Sequence, residues 1–568
     1  MAMTLSSQSR VRIASRASAL LLGLLLSASA FAEPAPVLFD WFEYTGRDTA
    51  FAQPLAEGHY RNPVLAGFYP DPSIVRVEDR YYLVNSSFGY FPGIPIFESR
   101  DLVHWRQLGH VIDRPEQLDV DGLRISRGIF APAIEHQDGT FYLVTTAVDA
   151  GGNFVVTATD PAGPWSNPHW LPEVDGIDPS LFFDDDGSAW LLNNGAPEGT
   201  PRYDGHRAIW LQRFDPATLR TVGPRRVLVD GGADPVTNPI WIEGPHLYKR
   251  DGWYVLTSAE GGTGPQHSQV VLRSRDIQGP YEAYADNSIL TQRDLPADRP
   301  APITNAGHAD LVEAPDGRWW AVFLASRPYA GNHYNTGRET FLLPVEWRDG
   351  WPTILDHGQA IPYAAPAPVP MRAAAQAPLA GNFTWRDDFD GPVLDPLWTF
   401  VRVPKTPWAD LAAHPGHLAV RPLRDGLDSL HNPAFLARRQ QHLAFEASTA
   451  LAVPTEAGVS AGLALFQGER HWLFLGARRA GQGAELFLER HDGDARGIVA
   501  TADIAVDAPL TLKVVADGSD YAFAYDDGSG WQWLARDVDG RLLSTESAGG
   551  FVGATLGPHA RLDPEPDE

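Results

Sequence analysis

Five times in this chain a turn carrying aspartate runs straight into a short apolar strand. The units are "DRYYLV" at Asp79, "DGTFYLV" at Asp138, "DGSAWLL" at Asp186, "DGWYVL" at Asp251 and "DGRWWAV" at Asp316. Their spacings are 59, 48, 65 and 65 residues. Each is followed by a further strand-like piece, such as "SRDLVHW" or "RSRDIQGPY". Residues 60–350 show almost no helical periodicity, only short Val, Leu, Tyr, Phe and Trp runs broken by Asp-Gly and Gly-Pro turns. A multi-stranded unit repeating every fifty or so residues cannot bury its faces alone and stacks around an axis as a β-propeller blade. Five units predict five blades.

Counting back eight residues from each turn aspartate reaches Asp71, Phe130, Asp178, Glu243 and His308. If the units are blades, these positions end the run into the innermost strand and ring one axis at one depth. Asp-Pro-Ser occurs at two of them, Asp71 and Asp178, with the proline stiffening the turn that aims the carboxylate. Turn capping explains either aspartate alone. It does not explain three acids in register, because like charges brought together repel and raise one another's pKa. Such a cluster suits hydrolysis in which one carboxyl is protonated while another is ionised. Glycoside cleavage has that requirement.

The rest of the chain frames this unit. Arg10, Arg12 and Arg16 precede the apolar run "ALLLGLLLSASA", and Ala30-Phe31-Ala32 offers a small-x-small cleavage site. Residues 1–32 therefore read as a secretory leader, which predicts export to the periplasm or beyond. No later stretch is long and apolar enough to span a bilayer. Residues 60–363 hold the repeats, and residues 364–382 are a Pro/Ala-rich linker. Residues 383–562 alternate at sandwich-like spacing, predicting a concanavalin-like or jelly-roll β-sandwich. The chain is thus all-β, and the tail "RLDPEPDE" reads as disordered. A net charge of −26 argues against nucleic acid as a partner. The absence of cysteine excludes disulfides, thiolate metal sites and cysteine nucleophiles. "GVSAG" at 458–462 fits a nucleophile elbow only superficially, since a strand follows where a helix is required.

The stretches "NPVLAGFYPDPSIV", "GIDPSLFFDDDG", "IEGPHLYKRDGWYVLTSAEGGTGPQHS" and "GRETFLLPVEW" resemble glycoside hydrolase family 43. The likeness is nearest to its β-xylosidases, which carry a C-terminal sandwich. The resemblance implies a five-bladed propeller and an inverting mechanism, with Asp71 as general base and Glu243 as general acid. Asp178 would orient the acid and hold its pKa up. Arg338 would hydrogen-bond sugar hydroxyls, and Phe88 and Phe130 would wall the terminal subsite. His308 falls where the family has a channel histidine that contacts a central water or calcium. No cofactor is required by this chemistry, and a structural calcium reached from His308 through water is the one metal left open.

Two departures from the family pattern lie at the sugar pocket: Phe130 where tryptophan is common, and Gly89-Tyr90 where an acid and an aromatic often stand. The implied activity is an exo-glycosidase releasing β-D-xylose from hemicellulose oligosaccharides. The alternatives are an α-L-arabinofuranosidase and, in another class, a non-catalytic carbohydrate-binding propeller. The sequence leaves oligomeric state open.

Overall fold

The five repeats form five antiparallel sheets. Their innermost strands are Ser73–Val77, Ala133–Gln137, Ile177–Phe183, Glu243–Arg250 and Thr304–Glu313. Each touches the next around the ring, and the fifth touches the first, which closes a five-bladed propeller. The computed structural model describes residues 34–368, 379–505 and 509–564. The expected leader at residues 1–32 lies outside these residues, as does the 369–378 part of the expected linker.

Near the axis the inner strands face one another without forming a shared sheet, so their polar groups need other partners. Short hydroxyls and one carboxylate supply them. The Ser73 hydroxyl donates to Asp310 Oδ2 at 2.8 Å and accepts from the Ile134 N–H at 3.1 Å. The Tyr248 hydroxyl donates to Asp310 Oδ1 at 2.7 Å and accepts from the Leu311 N–H at 2.8 Å. Ahead of the first blade, Asn62 imitates a strand residue. Its amide donates to the Leu342 carbonyl and accepts from the Leu342 N–H, both at 2.9 Å, and so fastens the entering chain to the last blade.

The strand register refines the eight-residue count. Ser73, Ala133, Ser180, His246 and Asp310 pair with Val84, Val144, Leu192, Thr257 and Val322 and occupy one position in the five blades. Two residues earlier lie Asp71, Ala131, Asp178, Gly244 and His308. Phe130 and Glu243 thus sit one residue ahead of the shared position. The cause is turn geometry. In the first blade the turn is Glu78-Asp79, whereas Asp138 and Asp251 are the first residues of their turns. At the shared position φ is 51° for Asp71, 52° for Asp178, 54° for Gly244 and 51° for His308. This left-handed bend suits Asp, His and Gly, which tolerate positive φ better than most residues.

The second domain is a sandwich of two eight-stranded sheets. One sheet is built around Val37–Gly46, the first strand of the described chain. It pairs with Thr384–Asp387, Leu418–Val420 and Ala444–Leu451. The other sheet ends on Tyr90–Phe91, a strand contributed from inside the propeller sequence. Neither exchange is visible in the local sequence pattern. The expected disordered tail is corrected in part. The strand Thr555–Leu562 runs through its first residues, and Asp563 accepts from the Ser460 hydroxyl at 2.6 Å.

A buried ion network joins the two domains. Arg327, 1% exposed, donates to Asp48 Oδ2 at 2.5 Å and to both Glu339 oxygens at 2.6 and 2.9 Å. It also donates to the Gln441 carbonyl at 3.0 Å. Glu339 is 0% exposed and Asp48 4%. Removing one partner from such a network strands the others without water. Arg327→Ala should therefore destabilise the protein by roughly 3–5 kcal/mol. Chemical denaturation checks this, and an unchanged midpoint would show that the network carries no such weight.

Candidate active site

All seven residues singled out in the sequence (Asp71, Phe88, Phe130, Asp178, Glu243, His308 and Arg338) line one cavity of about 480 Å³. It opens on the propeller axis, where the inner strands begin.

Asp71 is held on both oxygens. Oδ2 accepts from the Ser86 hydroxyl at 2.6 Å and Oδ1 from Arg338 Nη1 at 3.0 Å. Burial pushes its pKa up, but the charge of Arg338, then His308 and the Ser86 hydrogen bond, outweigh burial and leave it below the usual value. Asp178 Oδ2 accepts from the Gly244 N–H at 3.2 Å. Burial and the charge of Asp71 push Asp178 up to about 7. Glu243 is raised well above the ordinary carboxyl value, by burial first and then by Asp178 and Asp71. Near neutrality the site therefore pairs an ionised Asp71 with a protonated Glu243. One environment has split three carboxyls into different roles.

His308 forms part of the floor. Its ring leaves no room for a Cβ at Gly244, which would lie 2.5 Å from Nε2. Its Nδ1 lies 3.6 Å from Asp71 Oδ1. Burial lowers His308 to about 4, against the pull of Asp71, so the ring is neutral near pH 7. Among the described residues no group of three or more His, Asp or Glu is arranged to hold a metal ion. A calcium here would be reached from His308 only through water, and no step below passes through one.

The walls are aromatic. Phe88 and Phe130 meet edge to face with centroids 5.5 Å apart. A third ring, Phe551, stacks on Phe88 at 6.0 Å and meets Phe130 edge to face at 5.5 Å. Phe551 comes from the sandwich. The sequence reading missed it because nothing in its surroundings, "AGGFVGATL", relates it to an axis in another domain. The closeness of the domains places it. Gly337, φ 71°, packs so tightly that an added Cβ would lie 2.9 Å from Gly553. The next residue, Arg338, then reaches Asp71 on one side and comes within 3.4 Å of the Phe551 carbonyl on the other. Ser86, Arg207 and Trp241 were also missed; the last two line the cavity without falling on the repeat register.

Sequence profiles for "Glycosyl hydrolases family 43" and "Beta xylosidase C-terminal Concanavalin A-like domain" match residues 60–352 and 386–563. The chain belongs to glycoside hydrolase family 43. A xylosidase/arabinosidase of Butyrivibrio fibrisolvens is 39% identical over 505 residues, covering 88% of this chain and 95% of that protein. A non-reducing end α-L-arabinofuranosidase of Bacteroides ovatus is 35% identical, covering 89% and 92%. The crystal structure of a GH43_12 retrieved from a capybara gut metagenome superposes with a TM-score of 0.87 at 40% identity, over 93% of this chain and 100% of that one. The family 43 assignment agrees with the propeller and concanavalin-like sandwich expected from the sequence.

Phe551→Ala removes a ring but no charge. It should raise KM for a small glycoside about three- to tenfold, the worth of one aromatic contact, and leave both limbs of the pH profile in place. Steady-state kinetics across pH checks this; a moved limb would mean that Phe551 acts on the acids.

Proposed function

We propose that this family 43 enzyme is an inverting exo-β-xylosidase that releases terminal β-D-xylose from hemicellulose oligosaccharides. The observation that carries the reading is the division of protonation states, with Asp71 held ionised beneath Arg338 and Glu243 held protonated beside Asp178. Asp71 takes a proton from water, whose oxygen attacks the anomeric carbon. Glu243 gives its proton to the glycosidic oxygen as that bond breaks. The bond forms on one face as the other opens, so configuration inverts. Asp178 keeps Glu243 protonated and fixes the turn at Gly244. Arg338 orients Asp71 and has donors left for sugar hydroxyls. Pocket walls of Phe88, Phe130 and Phe551 favour a terminal residue over a chain interior.

α-L-Arabinofuranosidase activity is the second reading, favoured by Phe130 in the pocket wall and by the double naming of the Butyrivibrio relative. Gly89-Tyr90, expected at the pocket, does not line it: Tyr90 joins the sandwich sheet, and its hydroxyl lies 3.1 Å from that of Thr555. We further propose that the enzyme acts outside the cytoplasm, as the leader at residues 1–32 suggests.

Asp71→Ala should abolish turnover of every substrate, since water is left unactivated whatever departs. Glu243→Ala should spare aryl glycosides, whose leaving group needs little protonation, and cripple xylobiose. The first product, followed by NMR, should be the anomer opposite to the substrate's; retention would refute the mechanism. Glu243 works protonated, so its pKa sets the basic limb. Asp178→Asn removes a negative neighbour, makes Glu243 easier to ionise, and should move that limb to lower pH. A basic limb that stayed fixed would exclude Asp178 from this role.

A further inference from the structure

Three arginines line the cavity. Arg338 is bonded to Asp71, and Arg127 is paired with Asp149 at 2.6 Å. Arg207 has neither an ion pair nor a hydrogen bond to its guanidinium among the described residues. It lies over the ring of Trp241, 4.2 Å from the centroid. Trp241 lies two residues ahead of Glu243 and is itself unusual. Its φ is 53°, a left-handed conformation that costs a bulky side chain and persists only where the surroundings enforce it.

The enforcement is visible. The Trp241 N–H donates to the Gly205 carbonyl at 2.8 Å, and the Gly231 N–H donates to the Arg207 carbonyl at 2.9 Å. The Tyr203 hydroxyl lies 2.8 Å from the Pro239 carbonyl and 2.9 Å from that of Gly231. The two loops are thus fastened to each other, and the product is an unpaired guanidinium held flat on an indole beside the acid.

We infer that Arg207, positioned by Trp241, is the residue that recognises the departing sugar. The inference rests on the reading of Glu243 as general acid. The leaving oxygen must lie next to Glu243, so the part of the substrate beyond the cleaved bond enters the Arg207 side of the cavity. A guanidinium offers five N–H donors and no acceptor, which matches the lone pairs of sugar hydroxyls. An aryl leaving group carries no hydroxyls, and the nitro oxygens of a nitrophenyl group are only weak acceptors. Arg207 also adds a fixed positive charge near Glu243. The charged and titratable groups lining the cavity around that acid are Asp71, Asp178, His308, Arg127, Arg207 and Arg338. The two aspartates raise its pKa, while Arg338 and Arg207 lower it. Recognition of the leaving sugar and tuning of the proton donor therefore meet in one side chain.

The test compares xylobiose with 4-nitrophenyl β-xyloside, or the corresponding arabinofuranosides if that sugar is preferred, on the full-length enzyme. Arg207→Met should lower kcat/KM for the disaccharide about 10- to 100-fold, as expected for lost hydrogen bonds to a charged donor. The loss on the aryl glycoside should stay within about threefold, since its leaving group has no hydroxyl and at most a weakly accepting nitro group. The basic limb should move to higher pH, because removing a cation makes Glu243 harder to ionise. Arg207→Lys should keep the limb near its original place while leaving the disaccharide impaired. Trp241→Leu should show the same substrate split to a smaller degree. Equal losses on both substrates, or an unmoved limb in Arg207→Met, would overturn the inference. If Glu243→Ala were itself indifferent to the leaving group, the general-acid reading would fall, and this one with it.

Discussion

The chemistry of this protein depends on a buried guanidinium that never meets the substrate. Arg327 reaches Asp48, Glu339 and Gln441 together, and so joins the entry to the propeller, its last blade and the sandwich. Glu339 also accepts from the Gly67 N–H at 2.8 Å. The residue before it on the chain is Arg338, which holds Asp71. Two adjacent side chains thus point to different tasks. One anchors the interface, and its neighbour sets the charge of a carboxylate in the cavity. A shift at the domain junction would be felt directly at Asp71.

That coupling explains why three acids can share one pocket. Crowded carboxylates ordinarily resist being ionised together. Here a single fixed cation lies against one of them and leaves the others to the combined effect of burial and like charge. The asymmetry comes from placement rather than residue type, since Asp71 and Asp178 sit in the same Asp-Pro-Ser segment at the same blade position. They differ in what the rest of the ring brings to them. Asp71 meets Arg338 and Ser86; Asp178 meets one backbone N–H.

Much of this was legible in the sequence because a propeller writes its geometry periodically. The spacing of turn aspartates predicted the blades, and the count back from them put Asp71, Asp178 and His308 on the shared position. Phe130 and Glu243 fell one residue short of it because two-residue turns place their aspartate either first or second, a difference that spacing alone does not record. Phe551, Arg207 and Trp241 left no such trace. They reach the cavity from outside the repeat register, through the docking of the sandwich and the fastening of two loops. The strand Val37–Gly46 was hidden for a related reason, since its partners lie more than three hundred residues away in sequence.

That strand imposes an order on synthesis. It is made before the propeller, yet the neighbours that complete its hydrogen bonding, Thr384–Asp387 and Ala444–Leu451, are made only after it. At roughly 5–20 residues per second, it waits on the order of twenty to seventy seconds with its edges unpaired. The sandwich is therefore completed by a strand that precedes the propeller in the chain, and neither domain can be cut out along the sequence as a contiguous cassette.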